Sequence, residues 1–105
     1  MSTEDKQLLL KDLCSRLPYG VKCRQFKLDS QICTLSADLL DKVENVEPYL
    51  RPLSSMNEEE EKEYHNTFRI SMWDSVDWLL EHHFDYHNLI EKELALEAPK
   101  DMYKQ

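Results

Sequence analysis

The stretch from Pro48 to Tyr64, PYLRPLSSMNEEEEKEY, constrains the fold of this chain more than any other. Its two prolines each hold the preceding residue in an extended backbone conformation. Asn57 and Glu60 then form the pattern of a capping box, in which two residues satisfy each other's backbone donors at the start of a helix. The sequence therefore predicts a stiff connector over 48–56, followed at once by a helix.

Length and composition predict a single domain over 1–105. With 105 residues, 41% of them hydrophobic, the chain is long enough to bury one core without metals or disulfides. We expect an α+β fold with an N-terminal helix, a small three-stranded antiparallel sheet and two C-terminal helices. The predicted segments are 1–47 for the first helix and the sheet, 48–56 for the connector, 57–98 for the helical part and 99–105 for a loose tail.

The chain shows no signal for export or membrane insertion. No apolar run approaches the ~20 residues that span a bilayer. The start of the chain, MSTEDKQLLLKDL, is acidic where a secretory signal is basic. We therefore expect an unexported, cytoplasmic protein that does not bind membranes.

Apolar periodicity predicts the elements of the N-terminal part. Residues 3–17 form a helix capped by Ser2 or Thr3, and Gly20, the one glycine of the chain, follows it in a turn with a positive φ angle. Alternating patterns predict strands over 21–28, 31–36 and 43–46. The helix is expected to bury a face formed by Leu9, Leu10, Leu13, Cys14 and Leu17.

The same periodicity predicts two nearly continuous C-terminal helices, because Ser71 and Asp74 provide a fresh N-terminal cap near residue 70. Trp78 lies about 200° around the helix from the shared apolar stripe. We favour the interpretation that the C-terminal segment covers its ring; the alternative is an exposed binding hot spot. The stripe consists of Tyr64, Phe68, Met72, Val76, Leu79, Leu80 and His83. The covering residues are expected to be Leu89, Ile90, Leu94 or Leu96.

Charge is distributed unevenly along the chain, which has a net charge of −8. Residues 1–30 contain six basic and four acidic residues, whereas residues 31–105 contain seven basic and seventeen acidic ones. This excess gives one face a negative field, opposite in sign to that of a nucleic-acid-binding protein. We therefore expect no direct nucleic-acid binding. The alternative to a charged binding face is that the carboxylates only maintain solubility.

The cysteines and histidines do not form a recognisable metal site. Cys14, Cys23 and Cys33 are scattered, with no C-x-x-C pair, and are predicted to be small core residues in a reducing compartment. A Cys23–Cys33 disulfide across a hairpin is the less favoured alternative. His83 and His87 are weak metal candidates, since they share a face only if the helix continues through them. No metal or other cofactor is expected.

Catalytic signatures are also missing from the sequence. One glycine is too few for a phosphate-binding loop or a dinucleotide fingerprint, and no G-x-S-x-G nucleophile elbow occurs. The four glutamates at 58–61 begin a solvated helix, so they do not provide the opposed environments that paired catalytic carboxylates need. No catalytic residue is therefore assigned, and an enzyme is not expected.

Three segments, LLLKDLCSRLPYGVK, VENVEPYLRPLSSMNEEEEKEY and DWLLEHHFDYHNLIEKELALEAP, cover more than half of the chain. They resemble a family of small uncharacterised proteins from gut Bacteroides-type bacteria and their phages. The family pattern has Thr at the position of Asn57, Arg-Gly at His87 and Asn88, and Gly at Glu93. The resemblance implies a mobile-element or phage setting and a cytoplasmic site of action, and it implies no activity.

We therefore expect a non-enzymatic interaction protein whose acidic helical face binds or inhibits a basic protein, which in the sharpest form of the hypothesis itself binds nucleic acid. The alternatives are a small metal- or thiol-dependent enzyme and a structural accessory or homodimeric subunit. The expected partner-binding residues are Glu59, Glu63, Asp74, Asp77 and Trp78 of the helical part, with Tyr49 and Arg51 of the connector. For the connector itself we favour a stiff crossover in which Tyr49 and Leu50 pack back onto the core; the alternative is that Tyr49 and Arg51 form an exposed contact epitope.

Overall fold

A computed structural model describes residues 2–25, 32–99 and 102–103. The predicted α+β class is confirmed. The helices are α1 (Thr3–Arg16), α2 (Glu58–Ile70) and α3 (Met72–Glu81), and the strands are β1 (Lys22–Gln25), β2 (Cys33–Thr34), β3 (Val46–Leu50) and β4 (Leu96–Glu97). Short 3₁₀ helices cover Leu17–Tyr19, Ala37–Asn45 and Leu53–Ser55.

Helix α1 begins and ends as its sequence predicts, but it buries a different face. The Ser2 hydroxyl accepts a hydrogen bond from the Asp5 backbone N–H at 3.1 Å, which confirms the cap. After the helix, Gly20 has a φ of 66°. The residues of α1 that are buried are Leu9, Asp12, Leu13 and Arg16, whereas Leu10 and Cys14 are exposed. The predicted apolar face is therefore half right, because an ion pair takes the place of two apolar side chains.

The sheet is larger and differently connected than predicted. Four strands lie in the order β2-β1-β3-β4, and β4 pairs in parallel with β3, so the sheet is mixed and not purely antiparallel. The third strand is Val46–Leu50 and not 43–46, since residues 37–45 form a 3₁₀ helix. The outer parts of the predicted strands, at 26–31, lie outside the described residues.

Pro48 lies inside β3, where the sequence predicted the start of a connector. It is opposite Cys23 of the antiparallel neighbour β1, and β4 pairs only with Tyr49 and Leu50 on the other side. A proline lacks the N–H that a strand donates, so it is tolerated where one side of the strand has no ladder bond to lose. The strand therefore ends at Leu50, and the chain turns toward α2 after it.

Two hydrophobic clusters stabilise the fold. The larger one joins α1, the sheet and the loop after α3, through buried residues that include Leu9, Leu13, Val46 and Leu89. The smaller one contains Trp78, Leu79 and Phe84, with Met56 and Tyr64 packed against it. The smaller cluster thus joins Tyr64 of α2 to Trp78 and Leu79 of α3, and it is separate from the cluster between α1 and the sheet.

Part of the segment predicted to be a loose tail contacts the sheet. The Tyr103 hydroxyl accepts a hydrogen bond from the Lys22 backbone N–H at 2.8 Å and donates one to the Tyr49 carbonyl at 2.7 Å. Tyr103 therefore bridges the backbones of β1 and β3. Its burial raises the pKa of the phenol to about 12, so the hydroxyl stays protonated and able to donate.

Among the described helices, none combines the length and the apolar character that crossing a bilayer requires.

Candidate partner-binding surface

Helices α2 and α3 pack against each other and are separated by a single residue, Ser71. The predicted capping box is confirmed: Asn57 Oδ1 accepts from the Glu60 N–H at 2.8 Å, and Glu60 Oε1 accepts from the Asn57 N–H at 3.1 Å. The predicted break is also confirmed, because Ser71 has an extended backbone and its hydroxyl accepts from the Trp73 N–H at 3.1 Å. The two helices therefore meet at a defined corner.

Large apolar side chains surround this corner and point into solvent. Phe68, Ile70, Met72 and Trp73 are 57%, 78%, 66% and 80% exposed. We call these four residues the apolar corner. The predicted single stripe is therefore wrong at Phe68 and Met72, which are exposed, whereas Leu79 and Leu80 are buried. Clustered exposed apolar residues mark binding sites far more often than single ones do.

Helix α2 contributes almost nothing to the protein interior. None of its 13 described residues is buried. It is held by its capping box, by the half-buried Tyr64, whose ring centroid lies 5.8 Å from that of Trp78, and by the ion pair of Glu60. Most helices in proteins are stabilised by burying an apolar face. Helix α2 therefore packs on α3 through half-buried residues such as Tyr64, while apolar side chains at its C-terminal end stay exposed.

The predicted acidic residues lie on this helix pair and are exposed. Glu59 and Glu63 of α2, and Asp74 and Asp77 of α3, all face solvent. At 100° per residue, Glu59, Glu63 and Ile70 fall within about 40° of one another around the axis of α2. One strip of α2 thus presents carboxylates at its start and an apolar side chain about 15 Å further along.

A cleft of about 840 Å³ lies at the N-terminal end of α2. It is lined by the start of α2, by the turn after α3, by the residues that follow β3 and by the C-terminal segment. The carboxylates on its wall belong to Glu59, Glu60, Glu63 and Glu97, and the two imidazoles to His82 and His83. The cleft has an excess of acidic groups, so it is suited to a cationic side chain more than to an anion.

Arg51 occupies the floor of this cleft in a fixed position. Its guanidinium donates two hydrogen bonds to Glu60, both at 2.8 Å, and lies 4.2 Å from the centroid of the Phe84 ring. The Arg51 N–H donates to His83 O and the Arg51 carbonyl accepts from the Asp85 N–H, each at 2.8 Å. The hydrogen bonds from Arg51 hold the pKa of Glu60 below its usual range. Arg51 therefore fixes the start of α2, and its charge is already neutralised.

The turn after α3 places two histidines against the cleft. His82 stacks on Trp78 with ring centroids 4.0 Å apart, and His83 stacks on Tyr103 at 3.8 Å. His83 has a φ of 66°. It occupies the left-handed position of a Schellman motif, because the Phe84 N–H bonds Leu79 O at 2.9 Å and the His83 N–H bonds Leu80 O at 3.1 Å. Its positive φ therefore belongs to the end of the helix.

Burial and the nearby Arg16 lower the pKa of His83 to about 4, so the imidazole is neutral at physiological pH. Its Nδ1 is buried and has no hydrogen-bond partner among the described residues. Ser55, which also lines the cleft, donates its hydroxyl to Pro52 O at 2.7 Å. Neither group forms a nucleophile–base pair in the described part of the cleft.

Three of the predicted binding residues lie elsewhere than expected. Trp78 is only 8% exposed, and its ring is covered by Tyr64, His82 and Phe84 and not by residues 89–96. Tyr49 lies in β3, with its carbonyl bonded to Tyr103. Arg51 is half-buried as described above. Tyr49 thus packs in the sheet, as the favoured interpretation of the connector has it, and Arg51 pairs with Glu60, whereas Leu53–Ser55 are exposed.

The histidines proposed as weak metal candidates make separate contacts. The helix ends at Glu81, so His83 and His87 do not continue on one helical face. His83 stacks on Tyr103, whereas the His87 Nδ1 lies 2.7 Å from Asp12 Oδ2. A search of the described residues found no group of three or more His, Cys, Asp or Glu side chains placed to hold a metal ion.

A buried polar network was not anticipated from the sequence. Arg16 donates to Asp12 through Nε at 2.6 Å and Nη2 at 3.2 Å, and Nη2 also donates to Phe84 O at 2.7 Å. Both side chains are fully buried. Asp85 then accepts from the backbone N–H groups of Leu89 and Ile90 at 2.7 and 3.0 Å. The polar residues of the segment 84–90 thus have structural roles.

The apolar corner was also missed, although the sequence contains a signal for it. Four large apolar residues occur within 68–73, across a predicted helix break, so they cannot all face the same core.

No protein-family model matches this chain, and comparisons with curated proteins and with solved structures likewise found no match.

Proposed function

We propose that this protein is a non-catalytic binding protein whose α2–α3 pair docks a basic protein. The observation that supports the proposal is that α2 has no buried residue among its 13 described positions, while four apolar residues at its end are 57–80% exposed. The partner is a protein segment with apolar side chains for the corner and Lys or Arg side chains for the carboxylates. In its sharpest form, the protein inhibits a nucleic-acid-binding partner by occupying its basic groove.

Charge favours such a partner over a second copy of the chain. Residues 57–82 contain eight acidic residues and only two basic ones, Lys62 and Arg69. Two copies joined through this pair would bring like charges together, whereas a basic partner gains attraction and faster association. Protein–protein interfaces typically have apolar anchor residues at the centre and polar or charged residues around them.

The test is an affinity capture from a lysate of a gut Bacteroides-type bacterium, the setting that the resemblance implies, with matched variants. Ile70→Ser with Trp73→Ser removes the apolar corner, and Leu53→Ser, at a residue 48% exposed elsewhere, is its control. Glu59→Lys, Glu63→Lys and Asp77→Lys reverse the charge, and Asp38→Lys with Asp41→Lys is the control on exposed carboxylates outside the pair.

We expect one captured protein that is basic, that both site variants lose and that both controls retain. Its capture should weaken as salt is raised, since exposed charges are screened over about 8 Å at physiological ionic strength. Retention of the same protein by both site variants would refute the proposal. Sedimentation of the purified chain provides the other decisive outcome: a dimer that Trp73→Ser dissociates would replace the basic partner by a second copy.

A further inference from the structure

Cys23 and Cys33 face each other across the β1–β2 pair. They are direct partners in the antiparallel register, and their Sγ atoms lie 3.6 Å apart. Cys23 is fully buried and Cys33 is partly exposed. Both are thiols in the structure, as is the exposed Cys14 of α1. The two strands therefore hold a pair of thiols in van der Waals contact, with one thiol accessible to solutes.

The backbone around this pair is compatible with a covalent bond. The Leu35 N–H donates to Val21 O at 2.9 Å, so these two residues form a hydrogen-bonded pair of the ladder. Such pairs recur every two residues, so Cys23 and Cys33 form the next one. Directly opposed residues at such positions have Cα atoms about 5.5 Å apart, inside the range of about 4.4–6.8 Å that disulfides span. The two Sγ atoms must approach from 3.6 Å to about 2.05 Å, and rotation of the two side chains together with movement of the two-residue edge strand β2 can provide this change of about 1.5 Å.

We propose that Cys23 and Cys33 form a reversible disulfide by exchange with a small-molecule disulfide of the glutathione class. The thiolate of Cys33 attacks one sulfur of the small disulfide, which forms a mixed disulfide and releases one small thiol. The thiolate of Cys23 then attacks Cys33 Sγ and releases the second small thiol. Two protein thiols are oxidised, one small disulfide is reduced to two thiols, and the two protons pass to the two leaving thiolates.

The environments of the two thiols set this order. Cys33 is the accessible group, whereas burial raises the pKa of Cys23 to about 12. Cys23 therefore does not react with a solute, but it lies next to Cys33 once the mixed disulfide has formed. The second step is intramolecular, so it proceeds without diffusion although little of Cys23 is ionised. The product ties the edge strand β2 to the centre of the sheet.

The test uses the Cys14→Ser protein, which removes the exposed third thiol, in oxidised glutathione without oxygen. We expect the intact mass to fall by about 2 Da, the two hydrogens lost in forming one disulfide, and both alkylatable thiols of the denatured protein to disappear. Dithiothreitol should restore both. Cys33→Ser in the same background should keep its one thiol and show no mass loss, and unchanged far-ultraviolet circular dichroism should show that it folds.

Two results would overturn the proposal. The first is a Cys14→Ser protein that keeps both thiols, or stops with one glutathione attached to Cys33. The second is a disulfide between two copies of the chain, seen as a dimer on non-reducing gels. Peptide mapping of the oxidised wild-type protein gives an independent measurement, because cleavage after Lys27 separates the two cysteines. Linked peptides from the monomer support the proposal, and Cys14 linked to either residue contradicts it.

Discussion

Helices α1 and α2 have nearly the same length, 14 and 13 residues, but α1 buries charged side chains whereas α2 exposes apolar ones. Helix α1 buries four residues, two of which are the charged Asp12 and Arg16. Helix α2, by contrast, exposes Phe68 and Ile70. In α1 the two buried charges pair with each other, although the Arg16 Nη1 atom has no hydrogen-bond partner among the described residues. The apolar end of α2 has no such partner among the described residues, which is why we place the function there.

The largest effect should come from breaking the buried pair on α1. Asp12→Ala leaves the guanidinium of Arg16 buried, with only the Phe84 carbonyl to accept from it. An unpaired buried charge costs about 3–5 kcal/mol. We therefore expect the free energy of unfolding, measured by urea denaturation, to fall by that amount. The double variant Asp12→Ala with Arg16→Met removes the stranded charge, so it should be more stable than Asp12→Ala alone.

The double variant also distinguishes the ion pair from simple packing. If the double variant is less stable than Asp12→Ala by a further ~2 kcal/mol, the packing of the Arg16 side chain contributes more to stability than its charge does. A loss below about 1 kcal/mol for Asp12→Ala itself would contradict the described network, since surface substitutions are typically that small.

The second prediction compares the two helices directly. Leu13 is fully buried in α1 and Ile70 is 78% exposed in α2. Leu13→Ala should cost about 2–5 kcal/mol, because it removes buried methyl groups and leaves a cavity. Ile70→Ala should change the free energy of unfolding by no more than about 0.5 kcal/mol.

Protein concentration is the control for this pair. Suppose that Ile70→Ala lowers the free energy of unfolding as much as a core substitution does, and that the stability of the wild-type protein rises with its concentration. A second copy then covers the apolar corner in solution. Helix α1 would then pack in a core within one chain, and the end of α2 in a core between two chains.

The elements of the fold were predictable wherever a local signal determined the outcome. The Ser2 and Asn57 caps and the break at Ser71 follow from side chains that satisfy backbone groups a few residues away, and the positive φ of Gly20 follows from its missing Cβ atom. The parallel strand β4 was not predictable in this way. It is only two residues long, and its pairing with Tyr49 and Leu50 joins parts of the chain about 47 residues apart, so no local pattern encodes it.

The candidate surface was predicted in part for the same reason. Exposed carboxylates at Glu59 and Asp77 follow from charge and helical spacing. The interpretation of Trp78 continued one apolar stripe across the predicted break near residue 70, whereas in the structure Tyr64, His82 and Phe84 cover its ring. The burial of Asp12 and Arg16 depends on Phe84 and His87, about 70 residues away, which a helical pattern does not include.

The third prediction concerns pH and the turn that links the two regions. His83 has a pKa of about 4 in the folded protein, from burial first and then from nearby cationic groups, against an ordinary value of 6.5. The unfolded chain therefore binds the extra proton between these values. Stability is full above about pH 6.5 and falls as the pH is lowered toward 4, by at most ~1.4 kcal/mol per pH unit for one proton.

Unfolding curves at pH 7, 6 and 5 measure this slope. His83→Asn is the matched variant, because Asn tolerates the left-handed backbone and does not titrate in this range. It loses the stacking on Tyr103, so only the slope is compared and not the absolute stability. Equal slopes for the two proteins between pH 6.5 and 5 would show that His83 is not buried in its neutral form. Glu60, whose pKa is lowered by Arg51, contributes only at more acidic pH.

The smallest effect tests the backbone of the core region at Glu93. The Leu94 N–H bonds Leu89 O at 2.9 Å and the Glu93 N–H bonds Ile90 O at 3.1 Å, which is the same Schellman arrangement that ends α3. Glu93 occupies its left-handed position with a φ of 62°, and Asn88 has a φ of 60°. Both positions therefore have the left-handed backbone that glycine adopts without strain.

Glu93→Gly should therefore stabilise the protein by roughly 0.5–1 kcal/mol, because relief of the left-handed strain exceeds the entropy that glycine costs. Lys92→Gly is the control: it is the exposed neighbour without a positive φ, so it should lose roughly 0.5–1 kcal/mol for the entropy term alone. Thermal unfolding of both variants measures the difference. If both lose stability equally, the loop after Ile90 does not hold the left-handed turn, and Leu94 is not fixed against Leu89 in the larger cluster. If only Glu93→Gly gains stability, the core region contains backbone strain that the packing of its side chains outweighs, whereas the unfavourable feature of α2 is the exposure of its apolar side chains.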